Sequence, residues 1–222
     1  NSEWISAQDA PVVKGTVNEN SRAADGASWF TTTIKNEKKV KSVKWMTAGL
    51  GVYELYINGE NAIGNEDFLK PKRSFTYEIT SKVLNKKAGS ENTFYAQVTP
   101  GWWADKIITP GGNYGMIGKK VAFRGVLEFT FADGTKKLYG TNTKDWKAAI
   151  AGPVRHAAIF DGEVYDNRVA QPFGEGIING KSEKNNEFSG EILPSEGAEI
   201  TLREDLALSP VRAYVWKDIK GG

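Results

Sequence analysis

The sequence predicts an all-β fold of short antiparallel strands, arranged as a sandwich or jelly roll. The 222 residues include 24 glycines and 25 aromatic side chains (7 Trp, 8 Tyr and 10 Phe), a combination typical of strands joined by tight turns. Turn signals recur about every ten to twenty residues, as in sandwich folds. No long segment has the 3.6-residue apolar period of an amphipathic helix.

Two hairpins carry the clearest strand signals. Alternation along Val52–Ile57 predicts a strand with one buried face, and Asn58-Gly59 directly after it is the strongest short signal for a hairpin turn. Alternation along Val121–Phe131 predicts a second such strand, which Asp133-Gly134 turns into Thr135–Tyr139.

Further strands are expected along the rest of the chain. Their ranges are Trp29–Ile34, Val40–Ala48, Ser74–Ile79, Thr93–Val98, Val154–Phe160, Glu199–Arg203 and Val211–Trp216. We expect three regions: an N-terminal arm (residues 1–27), the β-sandwich domain (28–170) and a C-terminal arm (171–222). The last region should add strands to the sandwich and end in a linker, because its apolar side chains do not suit a free tail.

Composition excludes several classes of function. The 29 basic and 27 acidic residues leave a net charge of +2, without the excess of basic residues that nucleic-acid binding requires. No segment approaches the ~20 apolar residues of a membrane span. The absence of cysteine excludes disulfides, thiolate metal sites and cysteine nucleophiles. Since His156 is the only histidine, a site with several histidines is excluded too, and we expect a structural role for His156.

The segment from Gly101 to Tyr114 holds the candidate carbohydrate-binding residues. In an extended segment Trp102 and Trp103 would point to opposite faces, so that one is core and the other exposed. An exposed indole beside Asp105 could pack on a sugar ring, while Asn113 and Tyr114 on the following loop could complete the site. The alternative is that both indoles are buried core residues.

Glu163 and Asp166 are the candidate catalytic carboxylates. Glycoside hydrolysis uses two carboxylates about 5–9 Å apart, and three acids lie within Asp161–Asp166. The alternative is a β-turn at Asp161-Gly162 with the acids paired to Arg168 or to backbone amides.

No cofactor is expected, and no metal ligands are assigned. Calcium is the ion that the oxygen-bearing side chains of Asn65-Glu66-Asp67 would suit, but this segment falls short of a calcium-binding motif.

An ordered set of motifs resembles the N-terminal β-sandwich region of bacterial α-L-rhamnosidases, glycoside hydrolase family 78. The motifs are Val43–Gly59, Leu69-Lys70-Pro71, Phe75–Thr80, Gly101-Trp102-Trp103, Asp133-Gly134, Thr141–Lys147, Gly152-Pro153 and Phe160–Arg168. After Pro71 the chain runs directly through Lys72-Arg73-Ser74, where relatives commonly carry a glycine-aromatic-threonine loop, so no calcium ligands are transferred from the family.

The resemblance implies an antiparallel jelly-roll β-sandwich that precedes an (α/α)₆ catalytic barrel. That barrel holds the catalytic acid and base, so the 222 residues alone are expected to be non-catalytic and to give structural support or present substrate. The alternatives are a rhamnose-binding module that uses the tryptophan segment, and a free-standing glycosidase that uses Glu163 and Asp166. The parent enzyme would hydrolyse α-L-rhamnosides of rhamnose-containing glycans with inversion, in the periplasm or outside the cell.

Overall fold

The computed structural model describes an all-β protein, as the sequence predicts. It describes residues 1–12, 26–61, 73–79, 82–106, 114–195 and 204–214. Within these ranges there is no α-helix, only a single 3-10 turn at Glu204–Leu206. Accordingly, the described part of the chain contains no helix with the length and apolar character to cross a membrane.

Fourteen strands are present in the described residues. In chain order they are β1 (Ile5–Ala7), β2 (Ala27–Lys35), β3 (Val40–Leu50), β4 (Val52–Ile57), β5 (Glu60–Asn61), β6 (Arg73–Ile79), β7 (Glu91–Thr99), β8 (Ala122–Phe131), β9 (Lys136–Gly140), β10 (Lys147–Ala151), β11 (Val154–Ala158), β12 (Gly162–Tyr165), β13 (Ser182–Lys184) and β14 (Leu193–Pro194).

The strands form two larger sheets and one small hairpin. The first sheet has the order β13-β1-β8-β3-β6-β14, with β9 also paired to β8, and the second has the order β10-β2-β7-β4-β5. Strands β11 and β12 pair with each other. The described pairs are antiparallel except β14 with β6, which is parallel. The jelly-roll connectivity stays a prediction.

The two larger sheets share one aromatic core. Trp45 on β3 meets Phe94 on β7 edge-on at 5.3 Å between ring centroids, and Phe94 meets Phe129 on β8 at 5.9 Å. These three side chains are fully buried. Because β3 and β8 belong to one sheet and β7 to the other, the ring contacts join the sheets.

A second cluster covers the opposite face of the five-stranded sheet. Trp29 stacks on Tyr56 at 5.5 Å, and Phe173 packs against Tyr56 and Tyr95 at 5.1 and 5.2 Å. Val154 of β11 belongs to the same cluster. The β11–β12 hairpin therefore lies on this outer face, next to the end of β7.

Both predicted hairpins are confirmed, and one strand prediction is wrong. Strands β4 and β5 pair across Asn58-Gly59, and β8 and β9 pair across Asp133-Gly134. Residues 211–214 of the predicted strand 211–216 are exposed and form no strand, because no described neighbour covers them. The predicted strand 199–203 and residues 215–216 lie outside the described residues.

Candidate functional site

The turn that follows β7 carries the two adjacent tryptophans. Gly101 has a positive φ of 52°, and its N–H donates to the carbonyl of Ala157 at 3.2 Å, which ties the turn to β11. Trp103 is only 2% exposed, and its indole Nε1–H donates to the carbonyl of Lys120 at 3.0 Å. The ring of Trp103 is therefore part of the core.

The other predicted sugar contacts lie in different surroundings. Trp102 is half-buried, and its indole nitrogen is buried without a hydrogen-bond partner among the described residues. Asp105 and Tyr114 are buried. Asn113 lies outside the described residues. The structure thus brings Asp105 and Tyr114 together but does not present Trp103 on the surface.

Asp105, His156 and Asp161 form a buried group, which we term the Asp–His cluster. One ligand atom from each residue lies within 4.8 Å of the other two. His156 Nε2 is 3.1 Å from Asp105 Oδ2, yet neither imidazole nitrogen makes a hydrogen bond with a described residue. The side chains of Asp105 and Asp161 are only 3% and 6% exposed.

Two further side chains complete the surroundings of the cluster. Lys106 Nζ lies 2.5 Å from Asp161 Oδ1, and the lysine side chain is 21% exposed. The hydroxyl of Tyr114 donates to Asp161 Oδ2 at 3.0 Å. The backbone N–H of Lys106 donates to Asp105 Oδ1 at 2.7 Å. Every cluster carboxylate therefore has a donor, whereas Nδ1 of the imidazole has no hydrogen-bond partner among the described residues and Nε2 has only the 3.1 Å contact with Asp105.

Local structure explains how these distant residues meet. An isolated bridge between Lys106 and Tyr114 closes the loop after the tryptophans. Alternation along β11 places Val154 and His156 on the same face of the strand, and both are buried. Asp161 follows in the turn between β11 and β12. The sequence gives no signal that Asp105 would face His156, because their proximity depends on how the turn docks on the hairpin.

The two candidate catalytic carboxylates lie on and beside β12. Glu163 is exposed. Asp166 accepts hydrogen bonds from Arg168 Nε and Nη2, both at 2.8 Å. This guanidinium lowers the pKa of Asp166 below its ordinary value. Asp166 therefore matches the turn alternative, in which an acid pairs with Arg168.

A cleft between β4, β7 and the β11–β12 hairpin was not identified from the sequence. Its volume is about 210 Å³, and Glu54, Gln97, Thr99 and Glu163 contribute polar groups to its wall. Glu54 and Gln97 are direct partners across β4 and β7. The amide oxygen of Gln97 is buried without a hydrogen-bond partner among the described residues. The available signal was the alternation of Val52–Ile57, which puts Glu54 on the face of the strand opposite Leu55 and Ile57.

Tyr56 marks the boundary between this cleft and the outer aromatic cluster. Its hydroxyl donates a short hydrogen bond to Glu54 Oε2. Burial of the phenol, together with that contact, raises the pKa of Tyr56 far above its ordinary value. The oxygen-rich segment Asn65–Asp67 considered for calcium lies outside the described residues.

Comparison with known proteins identifies a family for this chain. The family model described as the α-L-rhamnosidase N-terminal domain matches residues 38–182. An α-L-rhamnosidase of Streptomyces avermitilis is 36% identical over 142 residues, which are 59% of this chain and 12% of that protein. An α-L-rhamnosidase of Alteromonas sp. is 26% identical over 172 residues, which are 74% of this chain and 18% of the relative. The chain thus spans less than a fifth of the length of these curated relatives.

A solved structure shares the fold. The crystal structure of native α-L-rhamnosidase from Aspergillus terreus superposes with a TM-score of 0.71 at 23% identity, covering 88% of this chain and 22% of that one.

Proposed function

The chain belongs to the family of α-L-rhamnosidase N-terminal domains, and from this premise we propose that it is a non-catalytic domain of a longer α-L-rhamnosidase. In this proposal it supports the catalytic domain or presents the substrate to it, and the parent enzyme hydrolyses α-L-rhamnosides. The match over residues 38–182 supports the assignment. The two sheets, antiparallel except for the β6–β14 pair, share one core and also support the jelly-roll architecture implied by the resemblance.

The burial of three of the five predicted sugar-contacting side chains carries this proposal. Trp103, Asp105 and Tyr114 are enclosed by the fold, and each has a hydrogen bond or ion pair inside the protein. A sugar platform needs an exposed aromatic face with free polar neighbours. Asp105 and Tyr114 instead link the turn after β7 and its loop to the hairpin, and Trp103 binds the segment before β8.

The state of Asp166 argues against its use as the general acid of a glycosidase. A general acid in glycoside hydrolysis needs a raised pKa so that it holds a proton at neutral pH. The pKa of Asp166 is lowered, because Arg168 stabilises its charged form. Both oxygens of Asp166 are also occupied by that guanidinium.

The β11–β12 hairpin offers the contact surface for a supporting role. Phe160, Val164 and Tyr165 are exposed on it, and β12 has β11 as its only described strand partner. Grouped exposed apolar side chains mark interaction surfaces. In this proposal the catalytic domain covers them.

The proposal is tested with the chain alone and with its parent enzyme. The isolated chain should not hydrolyse p-nitrophenyl α-L-rhamnopyranoside above the buffer rate. The parent enzyme carrying Val164→Asp should lose activity faster on heating than the wild type, whereas Leu138→Ser, a change at an exposed residue of β9, should have no effect. Hydrolysis by the chain that disappears in Glu163→Gln would contradict the proposal and favour a free-standing glycosidase.

Carbohydrate binding is the second candidate function, and the cleft favours it. The buried, unpartnered amide oxygen of Gln97 and the carboxylate of Glu163 could accept hydrogen bonds from sugar hydroxyls. Calorimetric titration with L-rhamnose to millimolar concentration, with and without calcium, decides between the two candidates. Saturating heat that is lost in Glu163→Gln but kept in the surface control Asp133→Asn would make this a binding module. If the titration gives no heat of binding, the carbohydrate-binding function is ruled out and the supporting role is retained.

A further inference from the structure

The Asp–His cluster combines the features of a metal site. We propose that Asp105, His156 and Asp161 together bind one divalent transition-metal ion, for which Zn²⁺ is the probe of choice. Their ligand atoms lie within 4.8 Å of one another, so a small closing movement of the side chains would let a single ion contact all three at the metal–ligand distances of about 2.0–2.2 Å that zinc requires. This inference goes beyond the proposed function and does not depend on it.

The imidazole of His156 faces Asp105 without making a hydrogen bond to it. Its side chain is 5% exposed, and both ring nitrogens are buried without a hydrogen bond to a described residue. Buried polar groups normally have a partner. A metal ion bound at Nε2 would occupy the space towards Asp105, whose Oδ2 lies 3.1 Å from that nitrogen.

The charges of the cluster also favour a cation. Two carboxylates are almost fully buried there. Among the described residues, Asp161 forms an ion pair with Lys106, and Asp105 is in ion-pair contact with His156. Buried charges are stable only when they are paired or coordinate a metal. The ammonium of Lys106 lies on Asp161 Oδ1 at 2.5 Å and is partly exposed. It can therefore turn towards solvent and leave Asp161 to the metal.

The donor set selects the type of metal. Calcium takes oxygen ligands almost exclusively, whereas zinc accepts imidazole nitrogen together with carboxylate oxygen. One imidazole and two carboxylates therefore suit Zn²⁺ better than Ca²⁺. Such an ion would join the turn after β7 to the β11–β12 hairpin, which are already linked by the Gly101–Ala157 hydrogen bond.

The test is calorimetric titration of the full 222-residue chain, without an added histidine tag, first with ZnCl₂ and then with CaCl₂. We expect one Zn²⁺ per chain and much weaker Ca²⁺ binding. Because His156 is the only histidine, His156→Ala removes all imidazole-dependent binding. Since even outer partners of a metal site change affinity about 10–100-fold, His156→Ala and Asp161→Asn should each weaken Zn²⁺ binding by at least about tenfold.

A variant with the opposite expected effect keeps the proposal falsifiable if those variants fail to fold. Lys106→Gln removes the competing ammonium and should tighten Zn²⁺ binding, while Asp133→Asn, a carboxylate far from the cluster in the β8–β9 turn, should leave it unchanged. Co²⁺ should give visible absorption in the wild type that Zn²⁺ abolishes. The proposal is overturned if neither wild type nor Lys106→Gln binds Zn²⁺, or if folded His156→Ala binds it as tightly as the wild type.

Discussion

Trp103 is fixed by contacts that leave its ring no room to move. Its indole N–H is bonded to the carbonyl of Lys120, and its own carbonyl accepts the N–H of Gly118 at 2.9 Å. A Cβ atom added at Gly118 would lie 2.1 Å from Cε2 of the ring. Gly118 is therefore required by the close approach of the tryptophan.

Gly118→Ala should consequently destabilise the protein by overpacking. We expect its free energy of unfolding in urea to fall by about 1–3 kcal/mol, the usual cost of forcing an extra carbon into a packed site. The control is Lys119→Ala at the neighbouring exposed position, which should stay within about 0.5 kcal/mol of the wild type. Equal stability of the two variants would mean that the ring is not held as described.

Single residues of the candidate site were only partly predictable. Because alternation is local, the sequence itself relates His156 to Val154, and on β11 both side chains are buried. It could not assign Trp102 and Trp103, because the backbone from Gly101 to Trp103 is a turn and the two-face rule holds only for extended segments. The sequence also could not predict the contact between Asp105 and His156, since that contact depends on how the turn after β7 docks on the hairpin.

At the scale of elements, a strand or hairpin could be predicted when neighbouring residues determine it, and was missed when it depends on pairing with distant residues. The β4–β5 hairpin was predictable because Asn58 and Gly59 themselves adopt the positive φ angles, 54° and 85°, that the turn requires. Strands β1 and β14 were missed, since they contain only three and two residues and exist through pairing with distant strands. Asn92 was also missed: it is fully buried, and its amide donates to Asn36 Oδ1 and to the carbonyl of Asn85.

The β8–β9 turn should contribute stability that depends on pH. Asp133 accepts hydrogen bonds from Lys38 Nζ at 2.7 Å and from the backbone N–H and hydroxyl of Thr135 at 3.0 and 2.6 Å. These contacts, that of Lys38 first, lower the pKa of Asp133 from its ordinary value of 3.8. A lowered pKa in the folded state means that the stabilisation is present above the unfolded pKa and is lost as pH falls through the folded pKa.

Asp133→Asn should therefore melt at a lower temperature than the wild type at neutral pH. The difference should shrink as the pH falls below about 4, near the pKa of an unfolded aspartate, and thermal melts across this range measure it. High salt should reduce the neutral-pH difference, because the Lys38 ion pair is exposed. A difference that grows on acidification would show that another group causes the effect.

In the whole molecule, the N-terminal strand β1 and the late strand β13 meet in one sheet. Ile5–Ala7 of β1 pair with Ser182–Lys184 of β13, and Ile5 also pairs with Phe123 of β8. The Ser6 hydroxyl donates to the carbonyl of Val121 at 2.6 Å and accepts from Asn185 Nδ2 at 3.0 Å. Strand β1 thus completes a sheet although it lies outside the family match at residues 38–182.

Removal of residues 1–7 should consequently destabilise the entire domain. Trp4 and Ile5 are buried, and the burial of each contributes about 1.5–3 kcal/mol to the free energy of unfolding. Together with the lost strand pairing, this loss is a large share of the ~5–15 kcal/mol of stability typical of a domain. We expect a much lower melting temperature and self-association, since β13 loses its strand partner. Leu208→Ser, at a fully exposed position, should change neither property. A shortened chain that melts like the wild type would show that β1 is an accessory strand and that the sheet is stable without it.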